Sequence, residues 1–509
     1  MLSSVKLIVR NRQLCNYLRL QTLARNMSLL KHKAFVNNDW VQGVSGNTFD
    51  VINPANSQVV GSVPNMNTED TQQAIEAASL AFQTWQDTTA KERSQLLRRW
   101  FDLMVENKQQ LAEIMTAESG KPINEALGEV VYGNSFVEWF SEQARRIDGE
   151  IIQSPTPSKQ ILLTKQPIGV VALITPWNFP HAMITRKAAA ALAAGCTCVI
   201  KPAEDTPLTA LALAQLAQDA GIPKGVINIV TCDRSLAPEV GKILCEHPKV
   251  AGLSFTGSTE VGKILYQQCA KHVKRVGLEL GGNAPFIVFS KSDLDKAVQG
   301  AMASKFRNCG QTCVSANRFI VQKDIFDQFV SKLKFAMHNQ LVIGDGKDTK
   351  TTIGPLINKA QATKVHDLVQ DALSKGAEAV VGGKPASHGA LFYEPTLLTN
   401  INKDMRVYSE EIFGPVAVCI SFETEEEALK IANDTRRGLA GYFYSSDIAQ
   451  AFRVARKMEV GMVGINEGMI SATEAAFGGI KESGVGREGS KHGIEEYVYV
   501  KYTCFGGLN

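Results

Sequence analysis

The 509-residue sequence predicts an α/β protein: a Rossmann-like parallel-sheet unit, a second α/β unit and a small β arm. Three observations predict it. From Gly169 to Asn283, short apolar runs alternate with stretches whose apolar residues recur at three and four. After Asn283 the same alternation starts again. Between Gly149 and Gly169 the helical pattern breaks, with prolines at 155, 157 and 167 and alternating Ile161, Leu163 and Lys165. Strand–helix alternation with apolar strands implies a parallel sheet covered on both faces. The interruption reads as an extended hairpin arm with an open strand edge that needs a cover.

Taken in order, residues 50–64 read as a short strand and turn. Amphipathic helices follow at 68–85, 90–107 and 109–120, and 121–147 continues helical. Past the arm, strands read at 170–174, 198–201, 226–230, 252–255 and 276–280, separated by helices at 181–194, 207–220, 236–247 and 258–270. In the second unit, strands read at 286–289, 319–321, 379–381, 416–420 and 463–466. Its helices read at 293–306, 325–339, 359–375, 424–433 and 448–458. A last alternating strand reads at 497–502.

Composition narrows the function classes. The chain is 44% hydrophobic and 21% charged, as globular proteins are, and a net charge of +3 gives no footprint for nucleic acid. No apolar run approaches the roughly 18 residues of a membrane span. This length suggests two or three domains. Ten scattered cysteines make a disulfide framework improbable. Cys196-Thr197-Cys198 has no further cysteine or histidine clustered beside it, so it reads as buried strand and no metal is expected. From Met1 to Asn38 there is no acidic residue, while Lys6, Arg10, Arg12, Arg19, Arg25, Lys31 and Lys33 are basic. Residues 1–30 therefore read as a mitochondrial transit peptide, which places the mature protein in the matrix.

Three stretches carry chemistry. Phe306 to Arg318 sets small and polar residues around Cys313, a loop fit to deliver a thiol nucleophile to a cleft. Cys309, four residues earlier, reads as facing inward. Leu278-Glu279-Leu280-Gly281-Gly282-Asn283 ends an apolar strand with a carboxylate, which partial burial would tune toward a general base. Thr175-Pro176-Trp177-Asn178 ends another strand, and the Asn178 amide could donate to an oxyanion.

A Gly-x-Gly-x-x-Gly turn is missing. The nearest phosphate motif, Gly257-Ser258-Thr259-Glu260-Val261-Gly262-Lys263-Ile264, has isoleucine where a Walker loop needs Ser or Thr, which argues against an NTPase. What remains is a Gly257-Ser258 step opening a helix, whose N–H groups could hold a pyrophosphate. Glu204, after the second strand, could bind a ribose diol with Lys201 and would repel a 2′-phosphate, which favours NAD.

These blocks resemble the aldehyde dehydrogenase family from about Phe35 to the C-terminus, with Lys201-Pro202-Ala203-Glu204, Phe255-Thr256-Gly257-Ser258 and Glu411-Ile412-Phe413-Gly414-Pro415 adding to the likeness. The resemblance implies Cys313 as nucleophile, Glu279 as the base that activates water, and Asn178 as oxyanion donor. It assigns Trp177, Lys201, Glu204, Gly257, Ser258, Glu411 and Phe413 to NAD. It also implies a homotetramer or homodimer, and an arm joined to another subunit's C-terminal tail. The implied division is an NAD-binding domain at 31–149 and 170–282, a catalytic domain at 283–481, and an arm and tail at 150–169 and 482–509.

Within the family the similarity is greatest to dehydrogenases of succinate semialdehyde. Arg186 and Arg307 are the physical point, since two guanidinium groups near the thiol could clamp the far carboxylate of a short aldehyde acid. By resemblance Ser471 adds a hydroxyl. Other readings are an NAD-linked dehydrogenase of another aldehyde, such as glutarate semialdehyde, a cysteine esterase or hydrolase on the same fold, and an idle scaffold, which intact Cys313, Glu279 and Asn178 disfavour.

Overall fold

The structure, a computed structural model, describes residues 29–508. The segment read as a transit peptide lies outside the described residues except for Leu29, which is buried, and Leu30. Two large sheets organise the chain. The first has eight strands in the order Asp39–Val41, Ala34–Val36, Ile227–Ile229, Thr197–Lys201, Val170–Ile174, Val250–Thr256, Arg275–Glu279, Gly484–Val485. Its five central strands are parallel, and antiparallel strands close both edges.

Strand Val170–Ile174 is buried at every position, as the continuous apolar run requires when helices cover both faces. Helix Ala182–Ala194 is buried along its whole length, which its run of alanines permits, and it ends at Gly195 in the left-handed region with φ 97°. Helix Ile123–Gln143 packs across it. Trp100, on helix Ala90–Glu106, fills the same core, and its indole N–H donates to Leu213 O at 3.2 Å.

The second sheet has seven strands in the order Glu378–Val381, Thr396–Thr399, Val416–Phe422, Ala316–Gln322, Ala284–Val288, Ala440–Tyr444, Met462–Ile465. Only Glu378–Val381 runs antiparallel. Two of these strands are absent from the sequence reading. Thr396–Thr399 is only four residues long, and in Ala440–Tyr444 the glycines at 438 and 441 shorten the strand-favouring run to Tyr442-Phe443-Tyr444.

The arm differs from expectation. Glu150–Ile152 and Gln160–Pro167 pair as a hairpin, and the open edge of the longer strand is covered by Val498–Phe505 of the same chain. The tail joins the arm only from Val498. Residues before it serve the first sheet: Gly484–Val485 pairs with the Glu279 strand, and the 3-10 helix Lys491–Tyr497 packs on helix Ala182–Ala194. Among the described residues, no helix is long and apolar enough to cross a membrane, and no group of His, Cys, Asp and Glu could hold a metal ion. Trp100→Ala should lower stability by about 3–5 kcal/mol, through lost burial and an uncollapsed cavity, as read by urea unfolding.

Candidate active site

In an open parallel sheet, ligands bind beyond the carboxyl ends of the strands, where the strand order reverses. Here the reversal lies between Val170–Ile174 and its neighbour Val250–Thr256. The first runs into Thr175-Pro176-Trp177-Asn178, the second into Gly257-Ser258, and the next strand ends at Glu279. The second sheet meets this place with the opposite polarity. Cys313 precedes Ala316–Gln322, Gly282 precedes Ala284–Val288, and Glu411 precedes Val416–Phe422. One cavity of about 210 Å³ is lined by Trp177, Asn178, Gly257, Ser258, Glu279, Cys313, Glu411 and Phe413.

The cysteine loop is unusual in its backbone. Asn308, Cys309 and Gly310 are successively left-handed, with φ of 52°, 57° and 71°. A non-glycine residue held there costs of order 1–3 kcal/mol, so the surroundings must enforce it. Asn308 N–H donates to both carboxylate oxygens of Glu125, at 3.1 and 2.8 Å. Asn308 Nδ2 donates to Asn178 O at 3.0 Å and Gln311 O at 3.2 Å. Gly310 is forced, because a Cβ there would lie 2.1 Å from Gly414 O. Cys309 is buried inside this turn, as expected, and Cys313 is left partly open.

Burial pushes the Cys313 thiol up to about 12, against the pull of Arg186. The resting group is therefore a thiol that needs a proton acceptor. Glu279 is 3% exposed and neither carboxylate oxygen has a hydrogen-bond partner. Its carboxyl is raised well above the ordinary value by burial, and further by Glu488. Glu488 behaves oppositely. Burial works against its charge, yet Arg186 and Lys187 hold its carboxyl below the ordinary value. Arg186 Nε sits 2.5 Å from Glu488 Oε2, and Lys187 Nζ pairs with Oε1. Two neighbouring carboxyls with opposed shifts separate a charged holder from a group able to take and give a proton.

The Asn178 amide is fixed from two sides. Its Nδ2 donates to Gln311 O at 3.1 Å, and its Oδ1 accepts Phe179 N–H at 3.1 Å. A primary amide has two N–H donors, so one remains for a ligand. Gly282 N–H donates to Glu411 Oε1 at 2.8 Å, and Trp177 and Phe413 meet edge to face at 5.5 Å. Ser258 caps helix Thr259–Ala270 by accepting Val261 N–H. Lys201 and Glu204 do not line this cavity. They pair at 3.7 Å after strand Thr197–Lys201, where Glu204 borders an open groove of about 840 Å³ with Asp205 and Arg234.

Of the two arginines, Arg307 has its guanidinium 5.1 Å from the Phe179 ring, and its charge acts on Cys313. Arg186 is 1% exposed and already paired with Glu488, with Nη1 left without a partner. Ser471 is half-buried, and among the described residues no hydrogen bond joins it to the others. The sequence reading missed Lys187, Glu488, Gln361 and Lys364, the last two of which line the cavity. Lys187 carried a signal, as adjacent cations in an alanine helix buried all round need a buried anion. Glu488 sits in a glycine-rich loop that offered none.

Known proteins share this arrangement along nearly the whole chain. The rat mitochondrial succinate-semialdehyde dehydrogenase is 56% identical, covering 94% of this chain and 91% of its own. The glutarate-semialdehyde dehydrogenase of Pseudomonas aeruginosa is 54% identical over 95% of this chain and 99% of its own. The NADP-linked succinate-semialdehyde dehydrogenase of Escherichia coli is 53% identical over 94% and 98%. The solved succinate-semialdehyde dehydrogenase of Burkholderia pseudomallei superposes with a TM-score of 0.93 at 51% identity, covering 94% of this chain and 99% of that one. A Staphylococcus aureus betaine aldehyde dehydrogenase solved with NAD+ gives 0.91 at 38%, over 95% and 96%. The aldehyde dehydrogenase family pattern matches residues 40–503, and with these relatives it shows that the chain belongs to the aldehyde dehydrogenase family.

Proposed function

We propose that this enzyme oxidises succinate semialdehyde to succinate with NAD, through a thioester on Cys313. The observation that carries the reading is the single cavity gathering Cys313, Glu279, Asn178 and Glu411, with the Arg307 charge acting on the thiol. The succinate-semialdehyde dehydrogenases among the relatives support the substrate.

Cys313 Sγ bonds to the aldehyde carbon as the thiol passes its proton to the ionised Glu279 carboxylate, which releases it to solvent, and the carbonyl oxygen takes the negative charge. The free N–H of Asn178 and the Cys313 N–H donate to that oxygen. A nicotinamide cofactor held by Glu411, Trp177 and Phe413 would supply the hydride acceptor, and loss of hydride from the former aldehyde carbon would leave an acyl group on sulfur. Glu279 then takes a proton from water as the water attacks the thioester carbonyl. The C–S bond breaks, the acid leaves, and the thiol regains its proton. The raised Glu279 carboxyl suits this work, since a stronger base is needed than an exposed carboxylate provides.

The cofactor residues fit a dinucleotide. The Ser258 helix terminus would offer N–H groups to a pyrophosphate, Glu411 could take the nicotinamide ribose, and Trp177 and Phe413, both on the cavity wall, would hold the nicotinamide end. Glu204 beside Lys201 supports NAD over NADP. The exposed Ile151, Val500, Tyr502 and Phe505 on the arm support a homotetramer or homodimer. The acid-free basic N-terminus and the mitochondrial relatives support the mitochondrial matrix. Glutarate semialdehyde, one methylene longer, is the second substrate to measure, because of the Pseudomonas relative.

The test is NADH absorbance with succinate semialdehyde, and no turnover would reject the reading. NAD should give the higher kcat/KM, and an NADP preference would remove Glu204 from its role. Glu279→Gln should give one burst of NADH and then near silence, whereas Cys313→Ala should give no burst. Arg307→Ala should raise KM for succinate semialdehyde by one to several orders, from about 2–5 kcal/mol lost with a desolvated pair, and spare propanal. Arg186→Ala is the poorer test. It strips Glu488 of a buried partner, at a cost of about 3–5 kcal/mol, so losses there extend to stability.

A further inference from the structure

The mechanism leaves one buried charged group unused. At the start of helix Ile123–Gln143 lie Lys121, Glu125 and Glu129. Lys121 is 3% exposed and Glu129 4%, and the two pair directly. A pair this deep is an expensive feature unless its remaining donors and acceptors are used. They are used on the active-site strands and loops. Lys121 Nζ donates to Asn178 O at 2.8 Å, and Glu129 Oε1 accepts the N–H groups of His181 and Ala182 at 3.0 and 3.3 Å. Glu125, one turn before Glu129, accepts Asn308 N–H with both oxygens.

These bonds converge on a small backbone lattice. Asn178 O accepts from both Lys121 Nζ and Asn308 Nδ2. Gln311 O accepts from both Asn178 Nδ2 and Asn308 Nδ2. Gln311 lies two residues before Cys313, so the lattice sets the distance between the Asn178 amide and the Cys313 N–H. Asn308 is its hub, and Asn308 stands in a conformation it would leave if released. Both bonds given by the Asn308 backbone N–H go to the Glu125 carboxylate, on another element of the fold.

We propose that Glu125 is a positioning residue for the oxyanion hole, and that with Lys121 it sets the Asn178 amide against the Cys313 N–H. The inference rests on the reading of Asn178 and Cys313 given above. Glu125 itself touches neither substrate nor cofactor in this arrangement. It acts through Asn308, by fixing the left-handed turn that carries the thiol. A donor displaced by an ångström loses most of its value at a developing oxyanion.

The experiment compares wild type with Glu125→Ala, Glu125→Gln, Asn178→Ala and the Glu125→Ala/Asn178→Ala pair. Three quantities are read: the rate of the NADH burst with succinate semialdehyde, the dissociation constant for NAD, and the rate of Cys313 alkylation by iodoacetamide. Alkylation needs the thiol but no oxyanion donor. Glu125→Ala should slow the burst about 100-fold, the scale of losing one oxyanion donor. NAD binding and alkylation should stay within about twofold, since neither uses the donor pair. Glu125→Gln keeps an acceptor in place and should lose far less. The double variant should be no slower than Asn178→Ala alone, because both changes remove the same donor. A fall in alkylation or in NAD binding matching the fall in burst would make Glu125 merely structural and overturn the inference. So would an unchanged burst in Glu125→Ala while Asn178→Ala collapses. An unchanged burst in Asn178→Ala would instead overturn the oxyanion reading on which the inference rests.

Discussion

A carboxylate shared by two buried cations underlies the active site. Glu488 lies between Arg186 and Lys187, consecutive residues of a helix with no exposed position. Either cation left unpaired at that depth would cost several kcal/mol, so the shared carboxylate lets the helix pack this deeply. Glu488 comes from the loop before the last 3-10 helix, so the C-terminal segment is pinned onto helix Ala182–Ala194. Its bonds to Lys187 and its proximity to Ser254 tie three elements together at one carboxylate.

That arrangement sets the chemistry above it. With Glu488 holding the charge, Glu279 in the same enclosure is driven toward its neutral form. The Cys313 thiol is also neutral at rest, because burial outweighs the Arg186 and Arg307 charges. The raised carboxyl makes the ionised form of Glu279 the stronger base, and the neutral thiol does not commit a thiolate before substrate arrives. In the proposed reaction, charge appears when the carbonyl oxygen accepts it, and the Asn178 amide is already held from two sides in the same cavity. Arg186 is held by Glu488 on one edge of its guanidinium.

Strain and packing are coupled at the thiol. Three left-handed residues in succession give the chain a reversal tight enough to bring Cys313 against Gly282, whose Cβ would sit 2.4 Å from Cys313 O. Gly282 also gives its N–H to Glu411. The Glu411 carboxylate and the Cys313 loop therefore share one glycine, and the space between them is fixed by the absence of a side chain.

Local pattern was enough to reveal the alternation of the two sheets, the strand ends at Asn178 and Glu279, and the Cys313 loop. Apolar periodicity and the glycines at 257, 281 and 282 are written in neighbouring residues, and the physics they report is local. The ordered family blocks added the roles of Glu411 and Phe413. Tertiary structure alone decided the rest. Strand Ala440–Tyr444 is placed in the sheet by Ala284–Val288 and Met462–Ile465, which pair with it on its two sides. The arm's open edge is filled from 331 or more residues away along the chain by Val498–Phe505, a pairing no local signal encodes. Glu125 and Glu488 look like ordinary surface acids in sequence. Burial and the company of distant groups make one the anchor of a strained loop and the other the counter-charge of the site, and neither property exists until the chain has folded.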